Sequence, residues 1–107
     1  MTVIATVYAV FADRAEAERI GRTMIEDGLA ACVNILAPCT SIYRWDNKIE
    51  TAEEVPALFK TDAGKVDALI LAIAKRHSYD VPAIAAWPVV QAGPGYAEWI
   101  VSGQALG

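Results

Sequence analysis

The segment from about Ala31 to Thr61 reads as one very long β-hairpin turning at Asp46-Asn47. Asp and Asn tolerate the left-handed backbone that a tight hairpin demands. Each arm then runs to about 15 residues, against about 5–6 for an ordinary strand. This register sets Trp45 opposite Lys48 and Tyr43 opposite Glu50. A sheet in a chain of 107 residues cannot cover arms of that length. The overhang must bind something, and another copy of the same chain is the simplest partner. Pro38 and Pro56 each remove a ladder donor, so they mark bulges or edge positions.

The elements around the hairpin follow from local pattern. Thr2 to Phe11 is mostly β-branched and aromatic, a buried strand. Asp13 caps a helix, with Glu16 completing an Asp variant of the capping box. Ala17, Ile20, Gly21, Met24 and Ile25 form its apolar stripe. Glu18 and Arg22 pair outside at i, i+4, and Gly28 ends the helix. A second helix starts near Asp62 and turns Val66, Leu69, Ile70, Ile73 and His77 inward. Pro82 to Val90 is a strand, and Tyr96, Trp99 and Ile100 fall at helical spacing after a Pro start. The order is βαββαβ with a short C-terminal helix, an α+β ferredoxin-like sandwich in one domain spanning residues 1–107. One sheet face carries the helices; the other has no internal cover.

Composition favours an assembly. Hydrophobic residues make up 55% of the chain and mean hydropathy is +0.32, both high for a monomer. The longest unbroken apolar run, Ala68 to Ala74, is far short of the roughly 20 residues a membrane span needs. A protein interface is the better outlet for the surplus. The net charge of −4, with no basic cluster, argues against nucleic acid. The N-terminus lacks the basic region and cleavage site of a secretory signal, which reads as cytoplasmic. Cys32 and Cys39, joined by extended chain, lie about 23 Å apart at roughly 3.3 Å per residue, too far for a disulfide.

Few residues offer chemistry. His77 is the single histidine, either a helix-end residue bonding to carbonyls or a ligand at a subunit rim. Cys32 is either core filler or, with His77, a soft N/S pair suited to copper or zinc. Glu50, Glu53 and Glu54 beside Asp46 form a solvated acidic edge, unless Glu50 or Glu54 points into a cleft with Lys60. Tyr43, Trp45 and Trp99 read as interface anchors. No phosphate loop, dinucleotide fingerprint or Cys-x-x-Cys is present.

These residues also carry a family resemblance. Ala31-Cys-Val-Asn34, Ser41-Ile-Tyr-Arg-Trp45, Lys48-Ile-Glu50, Glu54-Val55 through Lys60-Thr61, His77-x-Tyr79-Asp80-x-Pro82 and Tyr96-x-x-Trp99 together resemble the CutA family of divalent-cation-tolerance proteins. The resemblance spans nearly the whole chain. It implies a ferredoxin-like homotrimer whose long hairpins exchange edges between subunits, and kinship of shape with PII regulatory proteins. It implies binding of copper(II) or another divalent cation, and no enzymatic reaction. Cys32, His77, Glu54 and Asp80 are then the candidate metal ligands. Lys60, Trp45 and Tyr79 are the candidates for a small anionic metabolite on the alternative, PII-like reading; a ligand-free structural trimer is the third. Where the family usually has Pro, Ser78 is expected to loosen the loop after His77. Pro56 replaces a usual aliphatic residue and is expected to bulge its strand.

Overall fold

The computed structural model describes residues 3–102. Strand β1 (Ile4–Phe11) is buried along almost its whole length. The expected strand included Thr2, which lies outside the described residues. β1 pairs antiparallel with β4 (Lys48–Asp62) on one side and β5 (Ile84–Pro88) on the other. β2 (Cys32–Ile35) and β3 (Cys39–Trp45) both pair with β4, giving a sheet ordered β2-β4-β1-β5 with β3 further along β4. With β2 and β3 taken as one arm, this is the expected βαββαβ order.

Helices α1 (Arg14–Glu26) and α2 (Val66–Arg76) cover one face of the sheet. Phe11, Val7, Phe59, Ala57 and Val55 from the strands meet Ala17, Ile20 and Met24 of α1 and Leu69 and Ile73 of α2 in one buried cluster. Asp13 caps α1 by accepting the Glu16 N–H at 2.9 Å. The chain leaves α1 through Gly28 at φ +72°, a conformation that costs glycine little. Glu18 pairs with Arg14 at 3.1 Å rather than with Arg22 as expected. Ile25, expected in the apolar stripe, lies on the exposed side of the helix. A single 3-10 turn over Ala63–Lys65, capped by Asp62, leads into α2.

The reverse sheet face is not bare. Helix α3 (Tyr96–Ser102) packs against β1 and β4 and buries Ile100 outside the main cluster. Ile4, Thr6 and Val10, which alternate with the helix-facing residues of β1, are buried too. A central strand covered on both faces explains why β1 reads as continuous apolar sequence.

The hairpin turns where expected. Asp46 and Asn47 have φ of +53° and +64°, and Trp45 faces Lys48 while Tyr43 faces Glu50. Its first arm, however, is broken between Ile35 and Cys39. Pro56 explains the break. The Pro56 carbonyl accepts the Leu36 N–H at 2.9 Å. A strand residue directs its N–H and C=O to the same neighbour, so the donor that Pro56 lacks faces this gap. Pro38, also without a donor, falls inside it. The expected bulge at Pro56 is absent, since the β1–β4 register runs unbroken from Ile4–Asp62 to Phe11–Val55. Beyond Val55, β3 and the distal half of β4 continue as a two-stranded ribbon. It draws the molecule out to 45 × 26 × 23 Å.

Candidate functional site

The loop that follows α2 gathers the densest polar network, at the end of β1. Val10 O lies beyond the last β1–β5 pair, Ala9–Ile84, and meets His77 Nε2 at 2.7 Å. The Tyr79 N–H donates to His77 Nδ1 at 3.0 Å. An amide can only donate and a carbonyl can only accept, so the partners fix the tautomer: Nε2 carries the proton and Nδ1 its lone pair. The imidazole is neutral, its side chain is 0% exposed, and it stacks on Phe11 with ring centroids 5.1 Å apart. Neither nitrogen has a lone pair left for a metal ion. Here the helix-end reading of His77 fits the geometry, and the ligand reading would require breaking a bond.

Glu16 supports the same loop. Its carboxylate accepts the Ala12 N–H at 3.0 Å and the Ser78 N–H at 2.7 Å, and lies 3.9 Å from His77 Nδ1. Ser78 thus tightens the loop instead of loosening it, because a proline at this position has no N–H to donate. Burial pushes the Glu16 carboxyl upward. The Ala12 and Ser78 N–H groups and the Ser78 hydroxyl outweigh it and hold the group below its ordinary value. A depressed folded pKa contributes stability above the unfolded carboxyl's pKa, and this is lost as pH falls through the folded value. Glu16→Gln is therefore expected to flatten the acid limb of a urea-midpoint profile between about pH 6 and about pH 3. An acid slope equal to that of the wild type would contradict this origin.

Tyr79 projects from the loop to Glu54, donating its hydroxyl to Oε2 at 2.8 Å. Burial and the Glu54 carboxylate push the Tyr79 hydroxyl up to about 12. Asp80, the next residue, is exposed.

Cys32 and Lys60 lie elsewhere. They are register partners on β2 and β4, in the sheet row that contains Thr6 and Trp87. That row is four residues along β1 from Val10, about 13 Å at 3.3 Å per residue. Cys32 Sγ is 3.9 Å from the Tyr96 hydroxyl, and Lys60 donates its ammonium to Asn34 Oδ1. Burial and the Cys32 thiol push the Tyr96 hydroxyl up to about 12. On this face Tyr8 pairs with Trp87, centroids 6.1 Å apart, and Tyr96 stacks on Trp99 at 6.3 Å. Trp45 sits at the ribbon tip, and Tyr79 reaches β4 at Glu54, six residues from Lys60. One chain therefore brings His77 and Tyr79 together with Glu54, but joins neither Cys32 to His77 nor Lys60 to Trp45 and Tyr79. Among the described residues no three His, Cys, Asp or Glu side chains converge to hold a metal ion.

Three participants were not singled out from sequence. Glu16 read only as a cap, although its position at the head of α1 leaves its second oxygen free for another element. Asn34 was detectable as the residue two beyond Cys32, on the same strand face. Tyr96, read from sequence as part of a helix face and of the Tyr96-x-x-Trp99 motif but given no role, is the phenol beside the thiol.

Comparison with known proteins follows the fold closely. The family model described as CutA1 divalent ion tolerance protein matches residues 5–103. Protein CutA of Mus musculus is 42% identical over 84 residues, covering 78% of this chain and 48% of the mouse protein. The chain thus spans about half the length of that relative. The divalent-cation tolerance protein CutA of Pectobacterium atrosepticum is 35% identical over 88 residues, 82% of this chain and 80% of its own length. The crystal structure of CutA from Xylella fastidiosa superposes with a TM-score of 0.92 at 35% identity, covering 95% of this chain and 98% of that one.

Proposed function

Since the chain belongs to the CutA1 divalent ion tolerance family, we propose that it is a homotrimeric, non-catalytic protein that binds copper(II) or another divalent cation at a subunit boundary. The observation that carries this reading is the ribbon. Ile42 is 70% exposed, Ile49 69% and Trp45 64%. Ile42 and Ile49 fall on one ribbon face and Tyr43 and Trp45 on the other, by strand alternation and register. A ribbon that exposes large apolar side chains on both faces is suited to lie between partners, because water on either side leaves those side chains uncovered.

Assembly also supplies what one chain lacks. Cys32 offers the soft donor, and Glu54 and Asp80 offer carboxylate oxygens, but a complete ligand set needs donors from more than one subunit. Copper(II) tops the divalent affinity order and takes N, O and S donors. His77, with both nitrogens engaged, stands behind the site as support. No described helix is long and apolar enough to cross a membrane, and two free cysteines suit a reducing cytoplasm.

Calorimetric titration of copper(II) into metal-free protein, with glycine as competing chelator, tests the reading. Saturation at a fixed ratio per subunit is expected to survive the competitor and to weaken at least tenfold in Cys32→Ser. Heat that disappears under competition, or a Cys32→Ser titration identical to wild type, would count against it.

A further inference from the structure

The ribbon joins the body at a joint one residue wide. Glu54 makes a register pair with Cys39 in the ribbon, and its neighbour Val55 pairs with Phe11 in the body. The other chain segment crossing this joint, Leu36 to Pro38, makes no strand. Glu54 is also where Tyr79 is anchored, through its hydroxyl at 2.8 Å. Tyr79 belongs to a run of residues that is tied to three different elements. His77 bonds to β1 through Val10 O at 2.7 Å, Ser78 bonds to α1 through Glu16 at 2.7 Å, and Tyr79 bonds to β4. The Tyr79 ring is braced against His77, with centroids 4.8 Å apart.

We infer that the Tyr79–Glu54 bond is a latch that fixes the pose of the ribbon on the body, with His77 and Glu16 as positioning residues for the Tyr79 hydroxyl. Three features support this beyond the contact itself. The bond lands at the joint, where a small angular change is carried along the whole ribbon. Its donor stands on a loop held by hydrogen bonds to a core strand and a core helix, so the phenol is a fixed point. Its acceptor is a carboxylate, and hydrogen bonds to ionised groups are about twice as strong as neutral ones. The latch therefore decides where Ile42, Trp45 and Ile49 are presented, whichever surface receives them.

Hydrogen–deuterium exchange of the full chain, resolved by segment, tests the latch. Tyr79→Phe keeps the ring against His77 and removes only the hydroxyl. Glu54→Leu removes the acceptor, whereas Glu54→Gln keeps a neutral one. Exchange in 39–41 and 53–55 is expected to rise about tenfold or more in Tyr79→Phe and in Glu54→Leu. The rate in Glu54→Gln should return toward wild type. The double variant Tyr79→Phe/Glu54→Leu should exchange no faster than either single variant, since both remove one interaction. Throughout, 4–11 in β1 should keep its wild-type rate. Unchanged exchange at the ribbon root, an equal rise in β1, or additive effects in the double variant would each overturn the latch.

Discussion

His77→Ala is expected to lower the stability of this protein by about 3 kcal/mol. The side chain is fully enclosed at 0% exposure, stacked on Phe11 at 5.1 Å and braced by Tyr79 at 4.8 Å. Truncation leaves a cavity next to an aromatic core residue, and buried aromatic truncations typically cost about 3–5 kcal/mol. It also strips a partner from Val10 O and from the Tyr79 N–H. Each buried group left unpaired costs about 1–3 kcal/mol unless water reaches it. Histidine is smaller than phenylalanine and the loop can partly collapse, so the lower end of the range applies. A fall in the urea midpoint at constant m-value, at fixed protein concentration, would report it. A surface ligand would behave differently, because its loss would weaken cation binding and leave the midpoint of metal-free protein unchanged.

Ile49→Asp is expected to dissociate the proposed trimer, weakening association at least 100-fold. In a single chain Ile49 is 69% exposed, and such surface substitutions usually change stability by less than about 0.5 kcal/mol. At a buried boundary the same change places an unpaired carboxylate against apolar surface, at a cost of several kcal/mol. The two settings give very different outcomes. Sedimentation velocity should show trimer for the wild type and monomer for the variant at equal concentration. The unfolding midpoint of isolated variant subunits should persist as a cooperative transition, since Ile49 lies outside the core cluster. Identical sedimentation of the two proteins would remove the ribbon from the interface.

Local signals made most of this fold readable from sequence. The Asp46-Asn47 turn, the Asp13 cap and the Gly28 exit are each set by residues within a few positions, and each forms as expected. The break at 36–38 was less legible. It depends on Pro56 facing Leu36 across the sheet, a pairing known only once the register is fixed. The cover provided by α3 was missed for a similar reason: a short amphipathic helix in sequence does not say which face of the sheet it reaches. Within the site, residue types were identifiable but their partners were not. His77 read equally as ligand and as structural residue. The choice depends on Val10 O, 67 residues away, and on a tautomer that only the assembled loop defines. Cys32 and His77 were natural companions by chemistry; they are separated because Cys32 lies in the sheet row of Thr6, whereas the loop after α2 carries His77 to Val10, further along β1.

The measurement that bears most directly on the proposed function is native mass spectrometry of chelator-treated protein, titrated with copper(II) in the presence of glycine. It reads assembly and cation stoichiometry in the same species. A trimer that retains one copper per subunit, while any monomer present retains none, is the predicted result. Copper carried equally by monomer and trimer, or a chain that stays monomeric and metal-free, would contradict a cation site built between subunits.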